Sequence, residues 1–249
     1  MDLAQLPRED GFRLRGQQVT RLETFVDAAF AFALTLLVIA GDSLPDSFAE
    51  LRGALRRTPV CVLCFVLIAM FWSGHNRWSR RFGLEDGWST VLSMAMVLAV
   101  LVYVYPLRMV IASGLHVLTG GFVPSDLRLD GDDVAWDLQT CFIIYGLGFG
   151  VLAGVLALLN LHALRRADAL RLDAVERAET RGEIGVQLLM VAAALLSVLA
   201  SVLVLWLTDG RPGYAATGLP MFVYMGLAVA IPLYAARVER EKSRLAAAA

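Results

Sequence analysis

Polar and apolar positions along this chain separate into blocks as long as membrane spans. Six stretches, residues 20–40, 58–76, 87–107, 138–161, 184–207 and 214–236, are dominated by apolar side chains. Each is near or above the roughly 20 residues that a helix needs to cross the hydrocarbon core of a bilayer. The second to sixth contain no Asp, Glu, Lys or Arg. The pattern predicts an all-α, polytopic membrane protein with six transmembrane helices, forming a single six-span domain over residues 1–249. The longest polar connections, 108–137 and 163–183, are too short for a separate soluble domain. The second of them mixes apolar and charged positions, LRRADALRLDAVERAETRGE, which predicts a solvated continuation of the helices on either side.

The charges between the blocks give an orientation. Sixteen Arg and Lys residues fall in the amino-terminal segment, the second and fourth connections and the carboxy-terminal tail, against six in the first, third and fifth connections. Basic residues concentrate on the cytoplasmic side of membrane proteins. Both termini are therefore expected in the cytoplasm, in agreement with an even number of spans, which places them on one side. Residues 38–40, Val-Ile-Ala, resemble a signal-peptide cleavage site. The polar leader before the first span, the acid within it and the five spans that follow argue against that reading.

Composition narrows the function. Of 249 residues 58% are hydrophobic and 18% charged, below the about 25% usual for soluble domains. The net charge of −1 gives no reason to expect a nucleic-acid partner. Cys61 and Cys64 have the spacing of a metal or redox pair, but no further ligand completes a site, and buried cysteine commonly acts as a small apolar filler. No cofactor or metal is expected, and no nucleophile–base constellation or phosphate loop suggests an enzyme. One lysine among many arginines points to a GC-rich bacterial genome, so the location expected is the bacterial cytoplasmic (inner) membrane, multi-pass.

The first span holds the chemistry. Asp27 lies inside it, and an acid within a membrane helix costs free energy unless it is partnered. On a helix Phe32, Leu36 and Ile39 share a face, with Thr35 at its edge, while Asp27 falls on a different strip with Ala31, Leu34 and Val38. Trp72 and His75, near the end of the second span, are expected at the same membrane level. They are either hydrogen-bond donors to Asp27 or an interfacial belt residue and a polar cap.

Arg21-Leu22-Glu23-Thr24-Phe25-Val26-Asp27 resembles the Arg-x-x-x-Phe-Ser-Asp signature of the transmembrane protein 175 family, potassium-permeable channels of endolysosomes and prokaryotes. Phe30 to Val38 is similar to the continuation of that family's first helix, and Trp72 with His75 to its Trp-x-x-His pair. The resemblance implies a motif network of Arg21, Phe25, Asp27, Trp72 and His75. It also implies a homotetramer whose pore is lined by the first helix, with Phe32, Leu36 and Ile39 as apolar rings and Thr35 as a hydroxyl ring. Two positions depart from the family: Val26 stands for its Ser, and Phe32 for its usual Ile or Leu.

The function expected is a potassium-permeable cation channel giving passive flux through an oligomeric pore, with K+ and the lipid bilayer as partners. A secondary transporter or a non-conducting membrane scaffold are the alternatives. Against the transporter, no paired Gly/Pro-broken helices mark two half-repeats. Gly146, Gly150 and Gly154 in the fourth span predict a close helix contact. Pro106, Pro220 and Pro232 are expected near helix ends. Tyr103, Tyr105 and Trp206 are expected in an outer aromatic belt, Trp78 and Trp88 in an inner one. His116 and His162 show no convergent partner in the sequence.

Overall fold

The computed structural model describes residues 5–9, 11–39, 46–127, 134–210 and 217–247, with only the backbone of residues 38 and 39. Ala40, the start of the sixth predicted span and the Ile39 side chain lie outside the described residues. A two-stranded hairpin, β1 (Arg8–Glu9) and β2 (Phe12–Arg13), precedes α1 (Arg21–Ile39), α2 (Phe48–Arg56), α3 (Thr58–Phe82) and α4 (Gly87–Leu118). Then come α5 (Val134–Arg165), α6 (Ala174–Leu207), α7 (Leu219–Met225) and α8 (Leu227–Ala247).

Local chemistry sets several of these boundaries. Thr20 Oγ1 accepts from the Glu23 amide, Asp86 caps α4 through the Ser89 amide, and Asp173 and Glu176 form a reciprocal capping box at α6. Each supplies an acceptor for amides that a helix start leaves without a partner. α3 carries Pro59 in its first turn and is capped at its end by Gly83, which adopts a left-handed φ of 58°.

Among the described residues five helices are long and apolar enough to cross a membrane: α3, α4, α5, α6, and α7 continued by α8 over Leu219–Ala247. α1, with 19 residues and with Arg21, Glu23 and Asp27 in its first two turns, is not among these five. α4 and α5 run well beyond their predicted spans. Pro106 therefore sits inside α4 rather than near its end, and Pro232 sits inside α8. A membrane helix tolerates an interior proline because neighbouring groups re-satisfy the freed carbonyl.

The helices pack in a row. α1 lies on α3 and α4 at one edge, α5 joins α4 to α6, and α7 and α8 cover α6 at the other edge. The glycine face of α5 meets α6, where a Cβ on Gly146 would come within 2.7 Å of Val198 Cγ2 and one on Gly150 within 3.2 Å of Ala194 Cβ. The contact is thus inside the subunit. The centre is aromatic, with Phe71 edge-on to Tyr103 and Phe149 and with Tyr145 stacked on Phe149. Tyr103 and Trp78 belong to this core instead of to interfacial belts, Trp78 donating its indole N–H to the Leu159 carbonyl at 2.9 Å. Trp88, Tyr105 and Trp206 remain exposed.

Candidate pore helix and its supports

α1 has two unlike sides. Glu23, Val26, Phe30, Ala33 and Leu37 are buried against α3 and α4, and they recur at three- and four-residue spacing. The opposite strip, Arg21, Thr24, Phe25, Ala28, Ala31, Phe32 and Thr35, is exposed in the single chain. Phe32, at 56%, is more open than an apolar ring in a satisfied core would be. Leu36 borders the strip and is half-buried. The Thr24 and Thr35 hydroxyls donate to the carbonyls of Thr20 and Ala31, at 3.0 and 2.9 Å. With its proton so used, each oxygen turns lone pairs outward and acts as an acceptor.

Asp27 sits at the margin between the two sides, half-buried, and accepts the Trp72 indole N–H at 2.7 Å. His75 does not join this pair. Its Nε2 lies 2.9 Å from Ser93 Oγ of α4, and the ring is buried. Residues three apart on a helix differ by about 60° in direction. In α3 that difference separates them: His75 falls in the buried row of Ile68, Phe71, Trp78 and Phe82, while Trp72 stays 38% exposed. Arg21 and Phe25 are on the exposed strip, away from the Asp27–Trp72 bond. Asp27→Ala is expected to leave the Trp72 N–H without its acceptor. Because that donor is partly open, the cost should sit near the lower end of the usual range, about 1 kcal/mol. Thermal unfolding of the purified variant measures it, and a midpoint equal to the parent's would exclude a structural role for Asp27.

The segment before α1 carries a cluster that the sequence reading passed over as a polar leader. The chain from Phe12 to Gly16 lies against the ends of α3 and α6. Gly16 N–H donates to the Arg80 carbonyl at 2.9 Å, and a Cβ at Gly16 would stand 2.5 Å from the Ser79 carbonyl oxygen, so only glycine permits this approach. Arg15 donates to both Glu176 oxygens, at 3.2 and 2.8 Å, and Arg13 pairs with Asp173 at 2.8 Å. Phe12 packs edge-on to Phe82, with the Arg81 guanidinium 4.9 Å from its ring centre. Arg81 in turn bridges Glu179 and Glu183, and Lys242 of α8 joins at Glu179. The alternation Phe12-Arg13-Leu14-Arg15 between two glycines was the available signal.

Nearby, Asp86 holds His162 at 2.7 Å and Arg166 at 3.1 Å, so His162 does have a partner. Burial opposes ionisation of Asp86, but the Ser89 amide and the His162 ring bind its charged form and hold its pKa down at about 2. At the other end of α1, Arg108 of α4 donates to the Leu37 carbonyl at 3.2 Å and to Asp126 at 2.7 and 3.4 Å. Among the described residues no group of three His, Cys, Asp or Glu side chains is placed to hold a metal ion.

Residues 21–106, from the start of α1 into α4, match the family described as endosomal/lysosomal potassium channel TMEM175. A curated protein of Marivirga tractuosa named "Potassium channel" is 33% identical over 236 residues, which cover 94% of this chain and 92% of that protein. This chain belongs to the TMEM175 family. The fold agrees: a crystal structure of a variant of the potassium channel MtTMEM175, in complex with a nanobody fusion protein, superposes with a TM-score of 0.77. That match is 28% identical and covers 94% of this chain and 100% of the other. Membership in TMEM175 makes this a membrane protein of a potassium-channel family, a class without enzymatic chemistry. The matched region contains the α1 strip, the Asp27–Trp72 pair and Arg21, Phe25 and His75.

Proposed function

We propose that this TMEM175 protein is a potassium-permeable channel of a bacterial cytoplasmic membrane, formed by four copies of the chain. The observation that carries the reading is the exposed strip of α1. An edge helix buries one side in its own subunit and leaves free a strip of apolar rings and acceptor hydroxyls. One such helix cannot enclose a path, whereas four around an axis do. In this assembly α1 is the sixth crossing. Its charged first turns lie at the cytoplasmic boundary, and protein instead of lipid surrounds it, which removes the need for an uncharged helix. Both termini are cytoplasmic, and residues 1–249 act as one domain.

Along the axis Phe32, Leu36 and Ile39 form apolar constrictions, which gate by excluding water. The Thr35 ring substitutes oxygen for part of the hydration shell of a passing ion. The Asp27–Trp72 bond fixes the cytoplasmic end of α1 on α3. Neither the transporter nor the scaffold alternative gains a comparable observation.

Potassium flux into proteoliposomes loaded with the purified chain tests the reading. Passive, potential-driven flux is expected, with Thr35→Val narrowing the difference between K+ and Na+ while flux persists. Saturable exchange would favour the transporter. Flux no greater than in empty liposomes, or a monomer by light scattering, would favour the scaffold.

A further inference from the structure

Arg108 and Asp126 stand outside the matched family region of residues 21–106, and in the sequence Arg108 is one basic residue at the start of the third connection. We propose that they form a clamp that positions the last turn of α1, and with it the Thr35 ring. The functional half of this proposal rests on α1 lining the pore.

The last carbonyls of a helix have no partner within it. Here the Leu37 carbonyl, two residues beyond Thr35, accepts from Arg108 Nη1 at 3.2 Å. A cation at a helix C-terminus is also favoured by the helix dipole. Arg108 cannot easily leave, being 8% exposed. Its remaining donors grip Asp126, Nε to Oδ2 at 2.7 Å and Nη2 to Oδ1 at 3.4 Å, in the forked geometry particular to arginine. One guanidinium thus ties three segments: α1 through its backbone, α4 through its own stem, and the stretch after α4 through Asp126. The three bonds leave from three different nitrogens of the guanidinium, a spread that the single nitrogen of an ammonium does not reproduce.

The clamp holds backbone rather than a side chain, so it constrains the rotation of the whole turn that carries Thr35 and Leu36. Phe32 lies about one turn lower and is held instead by the Phe30 and Ala33 packing beside it. Loss of the clamp should therefore loosen the hydroxyl ring and leave the Phe32 constriction in place. An open cavity of about 380 Å³, lined in part by Arg57, Tyr105, Ser125 and the pair itself, lies alongside. That opening leaves room for water to take the place of the Asp126 charge, and the bond to the Leu37 carbonyl remains, so Asp126→Asn is expected to fold.

The experiment compares the full-length parent with Arg108→Gln, Arg108→Lys and Asp126→Asn, reconstituted in liposomes. Deuterium uptake is followed over residues 30–39 and the K+/Na+ permeability ratio is taken from reversal potentials. In Arg108→Gln the opening of the last α1 turn should rise about tenfold, the expectation for losing a charged hydrogen bond. The permeability ratio should move toward one, with tetramer assembly unchanged. Asp126→Asn and Arg108→Lys should fall between this variant and the parent. Unchanged uptake in both Arg108→Gln and Asp126→Asn would overturn the clamp. Raised uptake with an unchanged ratio would overturn its role in positioning Thr35. If the parent itself passes no cation, the channel reading fails, and the uptake measurement still decides whether the clamp exists.

Discussion

Phe32→Ala is expected to raise potassium flux through the reconstituted protein, on the order of tenfold or more, the change that each 1.4 kcal/mol removed from a barrier produces. Phe32 is 56% exposed on the free strip of α1, so its ring contributes little to the core of its own subunit. In the proposed tetramer four such rings around the axis would exclude water from the narrowest point, and a dehydrated ion would then meet a barrier that no hydroxyl offsets. Truncation to a methyl group opens this point while the buried side of α1, through Val26, Phe30, Ala33 and Leu37, stays packed. Tetramer yield should accordingly remain that of the parent. Flux at the level of empty liposomes in this variant would remove the main support for conduction and move the scaffold reading ahead.

Glu176→Ala should bring the largest loss of stability. The residue is fully buried, accepts from the Arg13 amide at 2.9 Å and from the Arg15 guanidinium at 2.8 Å, and receives the Asp173 amide at 3.1 Å. Removing one partner of a buried ion pair leaves the other uncompensated, at about 3–5 kcal/mol. In a chain of this size each kcal/mol moves the midpoint by about 2–4 °C. The expected readouts are a midpoint lowered by that factor and rapid proteolytic cleavage before α1, because the stretch from Phe12 to Gly16 loses its attachment to α6. Glu176→Gln, which keeps an acceptor for the Arg13 amide, should lie between. A midpoint and cleavage pattern equal to the parent's would mean that this cluster does not hold the segment.

The two substitutions differ in how readable their sites were. Phe32 stood out because membrane helices announce themselves by length and hydropathy, and because 3.6-residue spacing sorts a single helix into strips without knowledge of its neighbours. Asp27 was conspicuous for the same reason, as an acid in an apolar run. Glu176 was not, since one acid in a connection rich in both signs carries no mark of its partners. Its arginines are more than 150 residues away in sequence, and only the folding of α3 to α6 brings them to it.

By itself, then, the sequence determined the helical character, the apolar blocks, the family signature at Arg21–Asp27 and the strip of α1 that carries Phe32 and Thr35. Each of these depends on local periodicity or on residues close together in the chain. Only the tertiary structure decided which strip of α1 is buried, that Trp72 meets Asp27 while His75 turns to Ser93, and that Trp78 and Tyr103 are core. It alone showed Arg108 reaching the Leu37 carbonyl. The physical reason is that a side chain's phase on its own helix is a local property. Its partner is set by how helices far apart in sequence are rotated and pressed together, and that rotation is a compromise among all their faces at once.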